Sequence, residues 1–450
     1  MLSRILKLLI GLLFLPVLVM AQPMKIDADT LWQGTVKVTA PVEVTATGTL
    51  RIAPGTHIEV SNIAATISVQ GQLLVDGTAQ KPVIFKTVKG WQGISFVEAR
   101  PGSRISFAEF KDCAQALGII ATSPKINNNS FTDCDVAIKL LRESSAEIIN
   151  NHFVDNGLGL GIEMRSAPRV VGNSFSGQKK SGITASNSSR GLIESNTFTK
   201  NEQGVSLLQQ YPDKIRKNSF LDNRVGLYCY QTQNTPVVEE NLFVNNEYAQ
   251  VNFSFSFPVV KNNRFIKNKT ALQNDQFGSA LVENNLFQKN ATAIFNNRKS
   301  NPRVHLNSFV ENKLALFVDY SSYPLVHQNN FEKTGEGAHL GIYQSADWEK
   351  RSGSKKLVMK NAQARGSKNA MLGKAPTEYT DIVDLSDNWW GDQTSALKNA
   401  ANGQNLNFFY DRRDKPSVVY TDFGPDSYQL DIIKFKPILL EPVPGAGLLP

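Results

Sequence analysis

Ile126-Asn-Asn-Asn129-Ser-Phe131 is the first of ten copies of one phrase: a β-branched residue, two variable positions, Asn, any residue, Phe. The copies run through Asn151-His-Phe153, Asn173-Ser-Phe175, Asn196-Thr-Phe198, Asn218-Ser-Phe220 and Asn241-Leu-Phe243. They continue with Asn263-Arg-Phe265, Asn285-Leu-Phe287 and Asn307-Ser-Phe309 to Asn329-Asn-Phe331. The step from one Asn to the next is 22 or 23 residues throughout. A fixed period of this length implies a solenoid, because one such unit cannot bury its apolar face alone.

Each unit reads as one coil. The β-branched residue (Ile126, Ile148, Val170 and their successors) is an inward strand position. The Asn stands at a bend, where its side chain can bond nearby backbone and accept a left-handed conformation. The Phe turns back into the core. Three residues later a second polar bend recurs, as at Asn156, Asn201, Asn223 and Asn246. A short Ala/Gly-plus-aliphatic strand follows (Ala137-Ile138, Gly226-Leu227, Ala293-Ile294), then a polar outer turn that often closes with Pro. Three short strands per coil, stacked about 4.8 Å apart, predict an all-β right-handed parallel β-helix of about fourteen coils. Asn should then stack on Asn as an amide ladder and Phe on Phe as an internal column.

At these residues the chain resembles the parallel β-helix repeat proteins of the pectin-lyase-like superfamily. Its flanks, Ala53-Pro54-Gly55-Thr56, Gly77-Thr78-Ala79-Gln80-Lys81-Pro82 and Asp387-Asn388-Trp389-Trp390-Gly391, resemble those of exported bacterial members. More distantly it is similar to the periplasmic, copper-associated NosD-type proteins. The resemblance implies the fold over roughly residues 30 to 440 and leaves the function open.

Met1 to Ala21 reads as a secretory signal peptide, with Arg4 and Lys7 ahead of an apolar run and Val19-Met20-Ala21 suited to cleavage. Removing Arg4 and Lys7 takes the net charge from +8 to +6. That mild excess points to anionic glycans or envelope surfaces rather than nucleic acid. No later apolar run spans a bilayer, so the expected location is periplasmic or extracellular. The chain divides into a signal peptide (1–21), an N-terminal cap with leading coils (22–107), regular coils (108–343), a basic insertion (344–386), and a last coil with C-terminal cap and irregular tail (387–450). Trp91, Ile94, Phe96, Ile105 and Phe107 should fill the core of the leading coils. Between Lys350 and Lys374 there are eight Lys or Arg and no acid, which fits a solvated loop or a patch for an anionic partner. Cys113 and Cys134 share one coil position, so they are stacked buried thiols or a disulfide.

The polar outer turn is the least repetitive part of each coil, so function is expected there. Tyr228, Phe295 and Phe317 share one outward column, and Tyr230, Phe253, Asp275, Asn297 and Asp319 share the next. Such a strip of rings edged by amides and carboxylates suits a polysaccharide or envelope glycan. The expected function is therefore an exported binding or scaffold protein, with no cofactor and no metal. Two alternatives stand beside it. One is a polysaccharide lyase or glycoside hydrolase, in which Asp275 and Asp319, two coils apart, would be a wide carboxylate pair. The other is a copper-handling accessory protein, in which His305 and His327, 22 residues apart and in register, would need a third ligand. His339 falls in the column of Phe317.

Overall fold

The computed structural model describes residues 22–209, 213–232, 235–352, 380–401, 403–420 and 426–449. Among these the repeat winds into a right-handed parallel β-helix with three parallel sheets of 16, 14 and 14 strands. One coil shows how. Gln115–Ile120 lies in the first sheet, Lys125–Asn127 in the second and Ser130–Thr132 in the third. Ile126 pairs with Ile148 and Phe131 with Phe153, so the sequence period becomes the stacking period.

The Phe of the phrase forms one internal file. It starts earlier than the repeats do, at Phe85 and Phe110, and neighbouring ring centroids lie 4.4 to 5.1 Å apart as far as Phe331. Trp390 closes the file 4.3 Å from Phe331.

The Asn of the phrase forms the expected ladder, from Asn129 donating to Asn151 Oδ1 at 2.9 Å to Asn329 donating to Asn388 Oδ1 at 3.0 Å. A second ladder runs at the second bend, with Asn201 Nδ2 on Asn223 Oδ1 at 3.0 Å and Gln178 as a member the period did not mark. The left-handed residue, however, is not the ladder Asn. It is the residue before it: Asn128, Asn150, Lys217, Asn262 and Leu306 all have φ between 54° and 58°. The ladder Asn must aim inward to reach its neighbours, and the residue ahead of it turns the chain. Left-handed Lys and Leu are unfavourable by roughly 1–2 kcal/mol each, so the ladders and strands around them hold the bend.

Cys113 and Cys134 stand at the foot of the second ladder, where the Cys134 N–H donates to Asn156 Oδ1 at 2.9 Å. Both are free, buried thiols, as is Cys229. A hydrogen bond shared with Cys134, and burial, raise the Cys113 thiol far above its usual range. Burial alone raises Cys229.

The leading region is already wound. Met24–Ile26, Asp29–Trp32 and Thr35–Val38 pair with the next coil, and no separate cap precedes them among the described residues. Phe107 is not core as expected. It takes a left-handed bend position (φ 50°) and is half-buried.

At the other end Phe408 and Phe409 pack edge-on against Trp390, and Phe409–Tyr410 adds a strand to the first sheet. Helix Ala346–Ser352 is tied to the last coils by Lys299 and Glu349, 3.0 Å apart and nearly buried. The Pro- and Gly-rich tail has no strand or helix, yet it runs back along the outside of the coils. Val443 N–H donates to Asn330 Oδ1 (2.8 Å), Gly447 N–H to Leu306 O (2.8 Å) and Leu449 N–H to Asn262 Oδ1 (2.9 Å). The signal peptide expected over 1–21, and all of the basic run beyond Ser352, lie outside the described residues.

Candidate functional site

The outward face of the first sheet carries the predicted strip. Strand pairing sets one column as Gly161, Thr184, Ser206, Tyr228, Val251, Gln273, Phe295, Phe317, His339 and Tyr410. Tyr228 thus shares a column with Phe295 and Phe317, as expected, but Val251 and Gln273 divide the rings into two groups. The lower group is Tyr228, Tyr230 and Phe253, with centroids 6.1 to 6.5 Å apart. The upper is a continuous stack: Phe295–Phe317 at 4.7 Å, Phe317–His339 at 5.9 Å and His339–Tyr410 at 4.2 Å.

This geometry decides what each group can offer. Rings stacked face to face from coil to coil cover one another, so the upper stack presents edges to solvent. The lower group is looser. Below Tyr228 the column continues as Ser206, Thr184 and Gly161, a floor of small side chains, with the Lys139–Glu163 pair at its far end (3.4 Å). No ring therefore stacks on Tyr228 from that side, where Ser206 and Gly161 are buried and Thr184 is half-buried. The sequence reading missed this break in the rings, because small residues in a strand carry no signal of their own.

Asp275 was expected as an open carboxylate on the rim, and it is not one. Arg298 grips both of its oxygens (2.6 and 2.5 Å), and the carboxylate is almost fully buried. The same guanidinium lies 5.6 Å over the Phe253 ring. A salt-bridged Asp275 is no free partner for Asp319, so the wide carboxylate pair fails on chemistry. Asn297 is half-buried, and its Oδ1 has no hydrogen-bond partner among the described residues. Behind the strip, Asn252, Asn274 and Asn296 form a third amide ladder inside the core, with links of 3.0 Å.

Asp319 is the unusual member. Its Oδ1 accepts the backbone N–H groups of Tyr320 and Tyr343, each at 2.8 Å. Gly341 is next in its column, and a Cβ there would lie 2.2 Å from the Asp319 Cγ, so only glycine leaves the carboxyl its room. Burial pushes this carboxyl from an ordinary 3.8 up to about 6, against the opposing pull of the two N–H groups and His339. A carboxyl raised in the folded state favours folding below its ordinary value, and that contribution is lost as pH rises through about 6. The shift corresponds to roughly 3 kcal/mol. Asp319→Asn keeps the acceptor oxygen and removes the titration. The variant should match wild type in thermal melts at about pH 4 and melt higher at about pH 7.5. Equal melts at both pH values would mean that the carboxyl is not strained.

His339 completes this end. Glu336 Oε1 meets its Nδ1 at 2.8 Å, and Phe317 and Tyr410 cover its two faces. The proposed metal pair does not gather ligands. His305 and His327 are in register, but His305 faces Glu283 at 3.5 Å and His327 Nδ1 meets the Ser386 carbonyl at 3.0 Å. Among the described residues no group of three His, Cys, Asp or Glu could hold a metal ion.

The family of right-handed β-helix regions matches residues 115–257 and 250–367, more than half of the chain. This chain belongs to that family. No curated protein matches it. Among solved structures, this β-helix protein is similar to a mutant of the periplasmic alginate epimerase AlgG. The two are 15% identical over 71% of this chain and 74% of the other, with a TM-score of 0.32. No helix among the described residues of the β-helix protein is long and apolar enough to cross a membrane.

Proposed function

We propose that this protein is an exported component of the cell envelope that binds a carbohydrate chain along the outward face of its first sheet. The observation that supports this reading is the group of half-buried Tyr228, Tyr230 and Phe253 rings, on which no further ring stacks from the Ser206 side. A sugar ring laid against this group meets an aromatic face at Tyr228, and the hydroxyls of the tyrosines and of half-buried Thr184 supply polar partners. Aromatic bodies with polar tips suit ligands that are apolar on one face and wet at the edge. Successive coils about 4.8 Å apart give the chain a track several sugar units long.

Binding is tested on a glycan array that holds neutral β-glucans, polyuronates and sulfated oligosaccharides. Changing Tyr228, Tyr230 and Phe253 together to Ala should weaken binding to any hit about tenfold or more, since about 1.4 kcal/mol already accounts for tenfold. The three rings are only half-buried, so circular dichroism should stay that of wild type. Full affinity in the folded triple variant would remove the site.

A further inference from the structure

The upper end of the strip brings together three groups that binding does not use. Asp319 is a carboxyl with one oxygen held by two backbone N–H groups, and its Oδ2 makes no hydrogen bond among the described residues. His339 stands on the neighbouring strand opposite Phe317, so it is the diagonal neighbour of Asp319 on the same outward face. Side chains so related start about 7–8 Å apart. Glu336 fixes Nδ1 of His339, which leaves Nε2 as the ring's free nitrogen.

We propose that Asp319 and His339 are an acid–base pair that hydrolyses a glycosidic bond of the bound chain. This rests on the carbohydrate reading above. Asp319 gives its Oδ2 proton to the oxygen between two sugar units as the bond from that oxygen to the anomeric carbon breaks. A water molecule forms the new bond to the anomeric carbon, and its proton passes to Nε2 of His339. Glu336 accepts the Nδ1–H bond throughout and steadies the imidazolium that forms. The proton then returns to Asp319 through solvent, leaving two shorter chains and one new reducing end. A separation of about 6.5–9.5 Å between acid and base leaves room for water on the far side of the sugar, the arrangement of an inverting hydrolase.

Three features support this assignment. The burial that raises the Asp319 carboxyl to about 6 lets it hold its proton closer to neutral pH than an ordinary carboxyl does, which suits a general acid. Among the described residues the groups facing it are Tyr320, Tyr343, His339 and, in the preceding turn, the closed Arg298–Asp275 pair. Elimination from a uronate would call for a cation on the sugar carboxylate. The two cations of the preceding turn are already paired, Arg298 with Asp275 and Lys299 with Glu349. Hydrolysis needs none.

The test incubates the full chain with each polysaccharide that it binds on the array and measures new reducing ends. Wild type should release them, with no unsaturated product in the ultraviolet. Asp319→Asn and His339→Gln should each lower the rate about 100-fold or more while the affinity stays within about twofold. Glu336 is a positioning residue. Glu336→Gln, whose amide oxygen can still accept the Nδ1–H, should restore most of the rate that Glu336→Ala loses. A bound polysaccharide that stays intact with wild type overturns this inference and leaves the binding reading standing. Full rates in the Asp319 and His339 variants, or an unsaturated product, overturn the assignment of the step. If no polysaccharide on the array is bound or cut, both proposals fall together.

Discussion

Phe243→Ala should lower stability by about 3–5 kcal/mol, toward the upper end of that range. The ring is fully buried and stacks between Phe220 and Phe265, with both centroids 4.7 Å away. Little can move in to fill the gap. The residue of the first sheet that faces it is Gly226, where a Cβ would lie only 3.2 Å from the Phe243 ring. A strand locked by its ladder on both sides holds this glycine in place, so the cavity stays open and its cost is close to the full one. Phe243→Leu should recover about half of the loss. Denaturant midpoints measure both, and an unchanged midpoint for the alanine variant would place Phe243 outside the core.

Asn263→Ala should cost about 3 kcal/mol, although the side chain it removes is smaller. Its amide donates to Val238 O and Lys261 O (2.9 Å each) and to Asn285 Oδ1 (3.0 Å). Its oxygen accepts the backbone N–H and the Nδ2 of Asn241, at 2.9 and 3.0 Å. Alanine removes all five bonds: the buried Asn241 N–H loses its acceptor, while Asn241 Nδ2, Asn285 Oδ1 and Lys261 O each fall back on their remaining partners, and an orphaned buried group costs about 1–3 kcal/mol. Asn263→Asp isolates the donor half. It keeps an acceptor for Asn241 but turns an anion toward carbonyl oxygens, so it should be worse than alanine at neutral pH and recover on acidification. An alanine variant with a wild-type melting temperature would remove the ladder as a source of stability.

The core of this fold was legible because it repeats. The Phe file and the Asn ladder follow from spacing, and spacing is what strand pairing preserves; Asn388 rejoins the ladder 59 residues after Asn329, outside the period. Column membership on the outer face was legible for the same reason, which is why Tyr228, Phe295 and Phe317 do align. The state of each outward side chain was not. Asp275 and Asp319 occupy equivalent positions two coils apart, yet one is gripped by Arg298 and the other is pushed up to about 6 by burial. That difference depends on side-chain reach across coils, not on period. Glu336 carries no signal of its own in the sequence, and only the position of the His339 ring gives it a role. Tyr410 was hidden for another reason: it reaches the sheet only after the repeat has been left for more than sixty residues.

A solenoid that touches only its nearest neighbours should open from either end, one coil at a time. The tail removes that freedom from one side. By bonding Asn330, Leu306, Asn284 and Asn262 it joins the last turns of the helix to a coil well inside it. To loosen the final coil, the chain must also release a strand of contacts four coils long, so that end opens as one block or not at all. Among the described residues the first coils have no such binding, and Met24 and Leu31 stand exposed there. Loss of order in this molecule therefore has a direction. It enters at Met24 and travels toward Trp390, and the strip that ends at Asp319 and His339 lies in the half it reaches last.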